Sequence, residues 1–141
     1  MKKIIIVALI LIIGGSASFA QCGKQVILTS LKTEYLDGNG ALQRTVDENS
    51  VIEINKSEIT IIPGNEERKM TGTIKSDTCN WKTSFKEGKT IIRATFSKET
   101  ETMNATITIE GKDGKVTLLV EMAERPDRKI RIVADKFEEK I

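Results

Sequence analysis

The chain has 141 residues, of which 39% are hydrophobic and 30% charged, with no histidine, two cysteines and a formal charge of +2. The lack of histidine rules out Ser-His-Asp and Cys-His nucleophiles and removes zinc sites built from His, and two cysteines are too few for those built from several Cys. Lys and Glu are interspersed with no basic block, so no nucleic-acid partner is expected.

The first twenty residues read as a secretory signal. Lys2 and Lys3 precede an apolar run of ten, Ile4 to Ile13, and the small-residue stretch GGSASFA follows. The run is too short for a membrane span, which needs about 20 apolar residues. With Ser18 at −3 and Ala20 at −1, the expected cut follows Ala20 and leaves a single β domain over 21–141. Losing Lys2 and Lys3 brings the cations level with the carboxylates, so the mature chain is formally neutral. The short Lys-Lys start points to a bacterial source, and the protein is expected to be exported, periplasmic or secreted, with no integral membrane span.

Cys22 lies just past that cut. Lipidation needs a small residue immediately before the modified cysteine, and Gln21 stands there. A lipid anchor is therefore the weaker reading. Two cysteines in an exported chain are more simply a disulfide, Cys22 to Cys79.

Downstream, short runs rich in Ile, Val and Thr alternate with turn-formers, the pattern of strands. The expected strands are 25–36, 50–56, 58–62, 68–76, 90–97, 104–111, 115–123 and 128–135. Between the sixth and seventh, Asp113-Gly114 is the strongest hairpin signal. Ile107 and Ile109 alternate with Thr106, Thr108 and Glu110, and Val116, Leu118, Val120 and Met122 line one side of their strand. This period of two gives each strand one wet face. No room is left for crossover helices, so the strands form an antiparallel meander. About eight such strands close into a small up-and-down barrel, with a β-sandwich as the alternative. The tail 134–141 reads as an amphipathic turn or a solvated end anchored by Phe137.

Residues 52–96 run as strand, turn, Gly-containing strand, a polar segment with Trp81, then Glu87-Gly88-Lys89-Thr90-Ile91. In this rhythm the chain resembles the lipocalin-like group of small exported bacterial β-barrels. The resemblance implies a barrel whose interior is either filled or holds one small ligand.

Little catalytic chemistry remains. The turn at Asp37-Gly38-Asn39-Gly40 begins like a calcium loop but has Leu42 where the sixth-position Gly is required. The same Gly-Asn-Gly is not followed by the Lys-Ser/Thr of a phosphate loop, and no cofactor is expected. A carboxylate-pair hydrolase is the residual enzymatic reading. The stretch Ser76–Phe85 is the most distinctive. Trp81 and Phe85 are candidates for ligand contact at a mouth, or else pack as a plug on one end of the core. The expected role is a non-catalytic binding module for a small apolar ligand or a protein partner. The alternative is a structural or inhibitor-like envelope protein with a filled core.

Overall fold

The structure is a computed structural model and describes residues 22–98 and 100–140. The expected signal sequence, Gln21 and Ile141 lie outside the described residues. Nine strands follow in order: β1 Val26–Asp37, β2 Leu42–Ile54, β3 Glu58–Pro63, β4 Met70–Thr83, β5 Glu87–Lys98, β6 Glu101–Lys112, β7 Lys115–Met122, β8 Arg128–Val133 and β9 Lys136–Glu139. A single 3₁₀ turn, Glu66–Arg68, joins β3 to β4.

Every pairing is antiparallel between sequence neighbours until the closure, where β1 meets β2 on one edge and β8 and β9 on the other. The result is a closed up-and-down barrel of eight positions, as in small lipocalin-like barrels. The sandwich alternative is thereby set aside. β8 pairs with the second half of β1 and β9 with the first, so these two strands share the eighth position. The interruption between them faces a register shift in the β1–β2 ladder at Ser30–Lys32, where β2 carries one residue more than β1. Ser30 Oγ donates to Val133 O at 2.8 Å, and Asp135 Oδ2 accepts from the Leu31 backbone N–H at 2.7 Å. These two side chains satisfy backbone groups that the broken ladder leaves over.

The tail expectation is therefore corrected: 136–139 is a strand, held because its backbone completes the pairing of β1. Two further boundaries differ by more than a few residues. β2 begins at Leu42, eight residues before the expected strand, and β4 runs on through Asp77, Cys79 and Trp81 to Thr83. Both added segments are polar, so neither shows an apolar face in the sequence. The hairpin at Asp113-Gly114 forms as expected, with φ of 53° and 77°, the two positive values that a type I′ turn needs.

Alternation of side chains makes the inside apolar. Leu28, Ile52, Ile59, Ile92, Ile107, Ile109 and Leu118 are almost fully buried, while Thr106, Thr108 and Glu110 of β6 face out. At the third residue of β4 a close contact replaces the side chain: a Cβ on Gly72 would lie 2.8 Å from the Phe96 ring. Glycine there lets Phe96 lie across β4, and the small Ala94–Ala105 pair stands one inward step further along β5 and β6. Gly72→Ala is expected to cost about 1–3 kcal/mol by overpacking. In chemical denaturation the double variant Gly72→Ala/Phe96→Leu should lose less than the sum of the two single losses. Strict additivity would contradict the contact.

Candidate functional site

The two ends of the barrel are built differently. At the end where β4 stops and β5 begins, Trp81 is 1% exposed. Its indole N–H donates to Thr90 Oγ1 at 2.7 Å, which satisfies its one polar atom inside the barrel. The ring lies over two glycines: a Cβ on Gly88 would come within 2.4 Å of the Trp81 Cα, and one on Gly111 within 2.8 Å of Trp81 Cζ3. Phe137 of β9 packs on Trp81 with ring centroids 5.7 Å apart, and Phe85 meets Phe137 edge-on at 5.0 Å. The sequence candidates Trp81 and Phe85 are thus brought together, through Phe137, as the packing that fills this end.

The disulfide between Cys22 and Cys79 lies beside that plug, with Cα atoms 6.0 Å apart. It covers a seam. β3 pairs with β4 from Thr73 up to Met70, and one further bond, from Ile74 N–H to Ser57 O, closes the ladder. Beyond it the described ladder partner of β4 is β5 alone. The segment from Cys22 to Gln25 crosses the gap, over a crevice of about 470 Å³ that reaches Ile92 and Ile109 and is rimmed by Lys24, Lys56 and Asp77.

The opposite end is open. A cavity of about 780 Å³ is walled by Leu36, Met70, Met103, Val120, Met122 and Ile130, from strands all round the barrel. All three methionines beyond Met1 stand in this wall. Register explains two of them: Ala105 pairs with Met122, which makes Met103 and Met122 diagonal neighbours on the inner face. Methionine is unbranched and polarisable, so such a wall adapts to ligands of different outline.

A polar arc completes the rim. Tyr35 and Arg44 are register partners on β1 and β2, and the Arg44 guanidinium carbon stands 4.5 Å from the Tyr35 ring centroid. Arg68, on the 3₁₀ turn, donates to Glu48 Oε1 at 3.0 Å. The Tyr35 hydroxyl first, then Glu48, raises the Arg68 pKa above its ordinary value. Glu48 is nearly buried, and its Oε2 has no hydrogen-bond partner among the described residues.

Across the opening, the β7–β8 loop carries Arg125 and Asp127, and β8 begins at Arg128. Its anchor is Glu124, whose carboxylate accepts the Asn104 backbone N–H at 2.9 Å and the Asn104 side-chain amide at 3.0 Å. No helix among the described residues is long and apolar enough to cross a membrane, and no group of three or more Cys, Asp or Glu placed to hold a metal occurs among them.

Fold and ends together define the class: a small, closed, lipocalin-like antiparallel barrel, plugged at one end and open at the other. No family model matches the chain, and neither do curated proteins or solved structures.

Sequence reasoning passed over the open end. Met122 was legible as the last residue of an alternating face, and extending the period from Ile109 through Ile107 and Ala105 reaches Met103. The Asp113-Gly114 turn sets their register. Met70 carries no such signal, because its place depends on the whole barrel closing.

The Glu124 clamp gives a pH expectation. The Asn104 backbone N–H chiefly, aided by its side-chain amide and opposed by burial, lowers the Glu124 pKa. A carboxyl depressed on folding stabilises above its unfolded pKa, and that contribution disappears as pH falls through the folded value. The Asn104 amide resonance should therefore titrate with a midpoint below the usual glutamate range. A midpoint within that range would contradict the clamp.

Proposed function

We propose that this protein is a non-catalytic, exported binding protein that holds one small, largely apolar ligand in the open end of its barrel. The observation that carries this reading is the cavity of about 780 Å³ walled by Leu36, Met70, Met103, Val120, Met122 and Ile130. Its volume falls in the usual range of small-molecule sites, about 300–1,000 Å³, and its pairing of an apolar wall with a few polar groups is typical of them. A barrel of eight positions has an interior just wide enough for side chains or one small ligand, and here side chains fill the middle and the plugged end. The ligand therefore sits high, against the methionines, and Trp81 and Phe85 serve from beneath as the plug. The disulfide supports export, since such bonds persist in oxidising compartments. Kinship with lipocalin-like exported barrels is part of the same proposal and rests on the shared closure and the rhythm of residues 52–96.

A protein-partner role has less to stand on. The exposed large hydrophobics, Leu31 at 61% and Leu42 at 52%, lie far apart along the β1–β2 ladder and make no common patch.

The neutral dye N-phenyl-1-naphthylamine tests the reading. Its emission should rise and shift to the blue on mixing, saturating at one dye per chain. Met103→Glu puts a charge in the apolar wall and should weaken binding by about tenfold or more while the melting temperature stays within a few degrees. No emission change, or unaltered binding in Met103→Glu, would refute the site.

A further inference from the structure

Resting on the proposed site, we infer that Phe96 is its depth gauge: the apolar body of the ligand ends on the Phe96 ring, which sets how long a body the barrel takes. Register places this residue next to the methionines. Phe96 pairs with Met103 on one side, and Gly72, its partner on the other, stands two residues along β4 from Met70. Both methionines line the cavity, while Phe96 is buried beside them, 3% exposed.

The surroundings of the ring make it a floor rather than one more core residue. One inward step deeper on β5 is Ala94, and its partner on β6 is Ala105; both are buried, as is Gly72. Three neighbouring inner positions thus carry at most one methyl each, and Phe96 is the bulky side chain among them. Its ring leans over Gly72, with Cε1 and Cζ each 2.8 Å from where a Cβ on that glycine would stand. Deeper still, Ile92, Ile107, Ile109 and Trp81 fill the barrel. Trimming the ring therefore adds room that is continuous with the cavity at Met70 and Met103. A methyl on Gly72 does the reverse, because it drives the ring off β4 toward the one side that packed side chains leave open. Both changes cost stability by cavity or by overpacking, yet they act on the depth of the site with opposite sign.

The test is displacement of N-phenyl-1-naphthylamine by n-alkyl maltosides from hexyl to tetradecyl, each below its micellar concentration. The uncharged sugar is too bulky and polar to follow the chain inside, so chain length measures depth from the rim. Affinity should rise about fourfold per methylene until the chain meets the ring, and then stay level. The break should move to longer chains in Phe96→Leu and to shorter ones in Gly72→Ala. In the unaltered protein, the terminal methyl of the chain at the break should give nuclear Overhauser contacts to the Phe96 ring, a readout that decides alone if a variant does not fold. The same break in all three proteins, a steady rise through tetradecyl, or no contact with the ring overturns the gauge and leaves the apolar site standing. Failure of the dye and every maltoside to bind overturns both.

Discussion

The closure of the barrel runs through β1. On one edge it pairs with β2 over nearly its whole length, and on the other it is shared by β8 and β9. A meander whose first strand found only one partner would leave two open edges, with unpaired backbone groups on each. The register shift at Ser30–Lys32 makes the sharing possible. It lets Leu28 and Ser30 on one side, and Thr33 and Tyr35 on the other, all face the interior, although an uninterrupted period of two would turn the second pair outward. Thr33 and Ser50, buried at that level, lie within hydrogen-bonding distance of each other at 3.3 Å, so the kink brings no unsatisfied hydroxyl into the core. Tyr35 reaches the open end because of this reset.

From that closure the two ends take different chemistry. The plugged end spends its aromatic residues on packing: Trp81, Phe137 and Phe85 stack over backbone that glycine keeps thin at Gly88 and Gly111. The disulfide then holds the N-terminal segment across the seam that a short β3 leaves beside β4. Constraint is concentrated here, and a rigid base is what a site at the other end requires. The open end has flexible thioethers and long cations instead. The account of function rests on this contrast.

Much of the fold was legible in the sequence. Strands with clean alternation, such as Ala105–Ile107–Ile109 and Val116–Leu118–Val120–Met122, declare themselves because one face is buried and the other wet. The Asp113-Gly114 turn fixes their register. The upper half of β2 and the lower half of β4 were hidden for one physical reason. They lie at the barrel ends, where even inward positions such as Arg44 and Asp77 remain polar. β9 was hidden for another: four residues with one aromatic carry no periodicity, and the free edge of β1 makes them a strand. Of the site, the charged rim was invisible because its members come from segments distant in sequence. The weight that a lone tryptophan attracts led away from the methionines.

The central claim is that one end of this barrel is sealed by Trp81 and the other is open to a ligand at the methionines. A single nuclear magnetic resonance titration reads both ends at once, because the chain holds one tryptophan and, beyond Met1, three methionines. With the methionine methyls and the indole N–H labelled, a neutral apolar ligand should shift the resonances of Met70, Met103 and Met122 and leave Trp81 in place. A moving indole beside unmoved methyls would contradict the account.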